Sequence, residues 1–285
     1  MPGARPSEET AGLPWAHLRI PPFPQVAIRL LRLTNDEQVS MRQLSLLVAS
    51  EPAFSSEVLT IANSALYPSR VPITSVLQAV AVLGTNALRG ICLTVGVRTY
   101  LGESLNHESL RALWRHNMAC ALVARQLASA SSMDQNTAYT AGIMHDIGRL
   151  GLAVILPKRY AALIETHRGT PNSILAPEQE LFGLDHCEAG RNLVKDWKLP
   201  SDFEAIVSHH HDPRRRQDEW NLPSLINVSC RLADAAGFAA FQGCEITPYA
   251  DLLEDLPERE QKTFSSGLEE LSFEISRQIN AVESL

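Results

Sequence analysis

Cysteine is scarce in this 285-residue chain, and what there is forms no pattern. The five (Cys92, Cys120, Cys187, Cys230 and Cys244) are odd in number and hold no C-x-x-C pair. That excludes a disulfide scaffold and points to a reducing cytoplasm. Positive charge is in deficit, with 25 Lys+Arg against 32 Asp+Glu and a net charge of −7. A general nucleic-acid binder is excluded on that ground, because phosphate backbones reward a basic footprint. The local exception, Arg214-Arg215-Arg216, reads as a solvated loop. No uncharged apolar run approaches the roughly 18 to 20 residues that span a bilayer, so no membrane role is expected. The first fourteen residues, MPGARPSEETAGLP, lack the apolar centre of a signal peptide and read as a mobile tail. Strand-like alternation is nearly absent. What remains is 45% hydrophobic and 20% charged, a globular mixture long enough to bury a real core.

The apolar residues fall at helical spacing almost throughout, and the expected fold is all-α. Val26, Leu30 and Leu33 make one face of a first helix. Ser40 is placed to cap a second helix carrying Leu44, Leu47 and Val48, and Pro52 to open a third with Phe54, Val58 and Leu59. Gly84 closes the next, and Asn86 can cap another that runs to about Leu101. The polar stretch 101–108 suggests a boundary, giving a tail at 1–14, an N-terminal helical subdomain at 15–105 and a second helical subdomain at 106–285. In the second part, helices are expected from about Ser109 to Ala130 and from an Asp134 cap to Gly148. Shorter ones follow near 150–156, 157–167, 177–182, 185–198, 201–210 and 223–237. The stripe Phe264, Leu268, Leu271, Ile275, Ile279 and Val282 predicts an amphipathic C-terminal helix on the chain's own core.

Histidine is the residue type that is unevenly placed. His116 lies on the inward stripe Leu113–His116–Cys120–Val123–Leu127, and His145-Asp146 closes a helix beside Gly148. Asp234 faces inward one turn beyond Cys230, where a carboxylate needs a partner, a hydrogen bond or a metal. His186 follows the cap residue Asp185, and His209, His210 and His211 end a helix. Adjacent residues there diverge by about 100°, so two of the three can face inward while one points out. His116, His145, Asp146, His186, His209, His210 and Asp234 together supply imidazole and carboxylate enough for one divalent ion or a carboxylate-bridged pair. Each piece has a plainer reading. His116 fits a core histidine, HHH a helix-end cap, and Asp234 a carboxylate bonded to a backbone amide.

At these residues the chain resembles the HD superfamily of metal-dependent phosphohydrolases, and more narrowly the HDOD (HD-related output domain) proteins. The likeness rests on PPFPQVAIRLLRL, SEPAFSSEVLTIANSALY and VPITSVLQAVAVLGTNALRGI in the first half. In the second half it rests on LWRHN, AGIMHDIGRLGL, LFGLDHCEAGRNLVKDWKLP and AIVSHHHDP. It implies an N-terminal helical subdomain packed on an HD-like one, and a bacterial signal-transduction or regulatory output module. Such a module would act through a signalling protein partner or a nucleotide ligand. It also implies that the seven residues named above match the metal positions of related HD-GYP phosphodiesterases, with iron, manganese or zinc as the ion. Two departures weigh against cleavage of a cyclic dinucleotide. The DGxGYP loop of those enzymes is replaced here by HDPRRRQDEW, and their glutamate before the first histidine is Ala112. Where many HD enzymes have a phosphate-contacting lysine, this chain has Arg149, whose fork can hold phosphate. The alternative function is thus a metal-dependent phosphohydrolase in which Asp146 bridges the ions and Arg149 steadies the transition state.

Overall fold

The computed structural model describes residues 20–33, 40–212 and 219–283. The expected N-terminal tail and the Arg214–Arg216 loop lie outside these. Among the described residues the regular structure is helical but for one two-residue parallel pairing, β1 (Arg168–Gly169) with β2 (Gly243–Cys244). The first half runs α1 (Gln25–Leu33), α2 (Met41–Ala49), α3 (Pro52–Ala62), α4 (Val76–Leu83) and α5 (Thr85–Leu101). Ser40 caps α2 in a reciprocal box with Gln43, and Pro52 sits in the first turn of α3 as its missing N–H allows. The expected Asn86 cap is corrected: α5 already begins at Thr85, and the Asn86 side chain donates to Asp134 Oδ1 at 3.4 Å.

The second half runs α6 (Glu108–Ser131), α7 (Gln135–Met144), α8 (Ile147–Ile155), α9 (Pro157–Thr166), α10 (Leu175–Phe182), α11 (His186–Asp196), α12 (Asp202–His209) and α13 (Leu222–Ala235). Then come α14 (Tyr249–Glu254), α15 (Glu258–Gln261) and α16 (Leu268–Glu283). The 24-residue α6 is the axis on which α7, α13 and α16 pack. The buried stripe of α16 is Leu271, Ile275, Ile279 and Val282, as its spacing predicts.

The helix expected to run to Gly148 instead ends at Met144, and α8 starts at Ile147. His145 and Asp146 therefore sit in a break between two helices, not in the last turn of one. Gly148 lies in the first turn of α8, just past the break. A β-carbon there would run into the His186 carbonyl and lie 2.7 Å from Gly190 N, so glycine is what lets α8 press against α11.

One apolar core runs through both halves. Phe23 and Tyr100 from the first half pack on Trp197 from the second, with ring centroids 4.9 and 5.4 Å from it. Arg32 closes the same seam by donating to the carbonyls of Trp197 and Lys198. Among the described residues no single helix is long and apolar enough to cross a membrane.

Candidate metal centre

Helices α6, α7, α11, α12 and α13 converge on the His145–Asp146 break. Each of four histidines there turns Nδ1 outward to an acceptor. His116 meets the Phe238 carbonyl at 2.8 Å, and His145 the Gly142 carbonyl at 2.7 Å. His186 meets Glu178 Oε2 at 2.6 Å, and His210 the Val207 carbonyl at 3.2 Å. An imidazole that donates from Nδ1 presents Nε2 as the free nitrogen, the orientation that second-shell acceptors impose on metal-binding histidines. The rings follow one another at centroid spacings of 5.3 Å (His116–His145), 5.1 Å (His145–His210) and 5.5 Å (His186–His210).

Asp146 lies at the middle. Its Oδ1 is 3.4 Å from His210 Nε2 and 3.6 Å from His186 Nε2, while Oδ2 pairs with Arg149 Nε at 2.8 Å. The Nε2 atoms of His145 and His210 and the Oδ1 atoms of Asp146 and Asp234 are buried without a hydrogen-bond partner among the described residues. Buried acceptors are costly when left so, and a bound divalent cation is one way to satisfy them. The donor set fits such an ion. Two groups have donor atoms within 4.8 Å of one another: Asp146, His186, His210 and His211 in one, and His116, His145 and Cys230 in the other.

Burial and neighbouring charge leave His145 neutral and His186 protonated, so His186 must shed a proton before its Nε2 could bind an ion. Burial, together with the His210 and His116 rings, holds His145 neutral, well below the usual histidine range, although Asp146 opposes them. Burial and the Arg149 charge act to lower His186, but Glu178 and Asp146 outweigh them and raise it to about 10. Burial acts to raise Asp146, yet Arg149, His186 and His210 hold it ionised well below the usual carboxylate range.

His209 is corrected. Its side chain is 60% exposed and pairs with Asp212 at 2.8 Å, away from the cluster. The residue that sequence reasoning left out, His211, is inside: its Nε2 is 3.1 Å from His186 Nε2 and 3.2 Å from Arg149 Nη2. The reason is where α12 stops. His209 is its last helical residue, so His210 and His211 enter a turn rather than continue the 3.6-residue spiral. Asn227 from α13 donates to the carbonyls of His210 and Asp212 at 2.8 and 2.9 Å and holds that turn in place.

Asp234 is beside the cluster, with Oδ1 3.3 Å from His116 Nδ1. Arg149 is buried against Asp146 and His211. Glu178 also escaped the sequence reading. It is buried, accepts from Tyr160 Oη at 2.6 Å, and takes both the backbone N–H and Nδ1 of His186. A glutamate eight residues from its histidine across the Gly183 turn carries no spacing signal. A cavity of about 440 Å³ opens onto this region, with His210, His211, Cys230 and Asp234 on its wall together with Thr170, Asn172 and Ile246.

The sequence model of the HDOD domain matches residues 20–213. A solved HDOD domain protein of unknown function from Geobacter sulfurreducens is 20% identical, with a TM-score of 0.67 over 93% of this chain and 91% of its own. A proposed phosphohydrolase from Shewanella amazonensis SB2B is 20% identical, with a TM-score of 0.65 over 93% and 95% of the two chains. A proposed signal transduction protein from Marinobacter aquaeolei VT8 is 21% identical, with a TM-score of 0.66 over 94% of this chain and 59% of its own. At these identities the likeness speaks to the fold. An uncharacterized protein of Treponema pallidum (strain Nichols) is 23% identical over 223 residues, which cover 75% of this chain and 43% of that relative's length.

Proposed function

The chain belongs to the HDOD domain family, and we propose that within it the protein is a metal-binding regulatory module. It acts through contacts with a signalling partner or a nucleotide. The observation that carries the metal reading is the common orientation of four buried histidines, each with Nδ1 on an outer acceptor, with Nε2 of His186 and His210 turned to Asp146 and Nε2 of His116 to Cys230. Asp146, His186, His210 and His211 would hold one ion, and His116 and His145 would serve a second position beside it. A bound divalent ion supplies charge to coordinate phosphate oxygens and to acidify a coordinated water. The chain's own residues do the positioning: Glu178 orients His186, and the Gly142 carbonyl orients His145.

A regulatory role is favoured over turnover by the place of Arg149. The cation that a phosphohydrolase would turn toward phosphate is 1% exposed, lies against Asp146 and His211, and does not line the cavity. The second reading, metal-dependent hydrolysis of a phosphate ester, is favoured by the cavity itself, which leads from the surface to His210 and Asp234.

Elemental analysis tests the metal reading. The purified chain should carry iron, manganese or zinc and lose it when His145→Ala is combined with Asp146→Ala. No metal in the unsubstituted chain would sink both readings. Hydrolysis of aryl phosphodiesters with added Mn²⁺ or Fe²⁺ should be absent. Turnover that Asp146→Ala abolishes would replace regulation by the second reading.

A further inference from the structure

The sequence pattern counts Asp234 and not Cys230 among the candidate ligands, and the geometry puts Cys230 against His116 Nε2. Cys230 and Asp234 are one turn apart on α13 and share its inward face. The ring of His116 stands between them. Its Nδ1 faces Asp234 Oδ1 at 3.3 Å and the Phe238 carbonyl at 2.8 Å, whereas its Nε2 faces Cys230 Sγ at 3.4 Å. His145 approaches with Nε2 buried and unpartnered among the described residues. One donor atom from each of His116, His145 and Cys230 lies within 4.8 Å of the others.

We propose that Cys230 is a metal ligand, forming with His116 and His145 a thiolate-containing position for a zinc-class divalent ion. This rests on the metal-binding reading above and deepens it by naming the donors and hence the class of ion. Two imidazoles and a thiolate suit zinc or ferrous iron and disfavour manganese and magnesium, which prefer oxygen. On coordination the Cys230 thiol loses its proton to solvent, so the sulfur binds as thiolate and one proton is released per ion. Cys230 is on the cavity wall, which gives an ion its entry path. Asp234 then acts from behind His116 as a carboxylate that orients the ring. A buried cysteine is ordinarily an inert apolar filler. Cys120 fits that description, its thiol turned to the Ile226 carbonyl at 4.0 Å. Cys230 differs because what it faces is an imidazole nitrogen. The neighbouring group around Asp146 contains no thiol and already holds the Arg149 guanidinium.

The test uses the full chain, stripped with a chelator and titrated anaerobically with Co²⁺. A thiolate-to-cobalt charge-transfer band should grow in the near ultraviolet and be bleached by Zn²⁺. Cys230→Ser and Cys230→Ala should abolish the band and weaken Zn²⁺ binding by at least about tenfold, while Cys120→Ser keeps both. X-ray absorption of the zinc-loaded unsubstituted chain should show sulfur in the first coordination sphere, a readout that needs no variant to fold. Cobalt bound without the band, zinc without sulfur, or a band that survives both Cys230 variants would overturn this proposal alone. No binding of either ion by the unsubstituted chain would overturn the metal-binding reading with it.

Discussion

His186 keeps its proton in the metal-free chain because two carboxylates face it, Glu178 Oε2 at 2.6 Å and Asp146 Oδ1 at 3.6 Å. Its folded value of about 10 stands above the 6.5 of an unperturbed histidine. A raised value means that the stabilisation is complete below pH 6.5 and is lost as pH rises through 10. Glu178 and Asp146 are depressed despite burial, so their share is present above the ordinary carboxylate range and is lost as pH falls through their folded values. Urea midpoints of the chelator-treated protein should therefore fall as pH is taken from 6.5 to 10, and Glu178→Gln should flatten that alkaline loss. The same variant should weaken metal binding by about 10- to 100-fold, since it removes the acceptor that orients His186. At the helix end, His211→Ala should lower metal affinity and His209→Ala should leave it unchanged, as read by isothermal titration with Zn²⁺. The residue types of the cluster were legible in the sequence as an ordered set of His and Asp. Which of the three consecutive histidines turns inward was not, because that depends on Asn227 holding a turn from another helix.

Among the elements, the stripes were legible and some of their ends were not. Local signals were enough for Ser40, Pro52, Gly84, Asp134 and Asp185, each of which meets its own helix within three residues. The break at His145–Asp146 has no such local cause. Beyond it α8 presses on α11, and Gly148 is the contact that permits that approach. Gly142 plays the same part between α7 and α6, where a β-carbon would meet the Ala121 backbone. Gly148→Ala should thus force α8 off α11, separate Asp146 from His186, and cost at least about 1–3 kcal/mol. A thermal melt and the metal content of the variant check both consequences. Unchanged values for both would mean that the helices are not in such close register.

For the whole molecule, the consequence of the continuous core is that the two halves should unfold together. Trp197 is the clearest single joint, packed between Phe23 and Tyr100 with its carbonyl bound by Arg32. Trp197→Ala should cost about 3–5 kcal/mol. In a urea titration it should lower the midpoint of one transition; two separated transitions would mean that the halves are independent. Helical class, the inward faces and most of the candidate ligands follow from the sequence, because periodicity and side-chain chemistry are properties of a segment and its own residues. The tertiary structure alone decided that Cys230 rather than Asp234 faces His116 Nε2, that Glu178 stands behind His186, and that Arg149 is turned inward. Those are angles between side chains on different helices, set by how the helices pack, and no spacing along one helix encodes them.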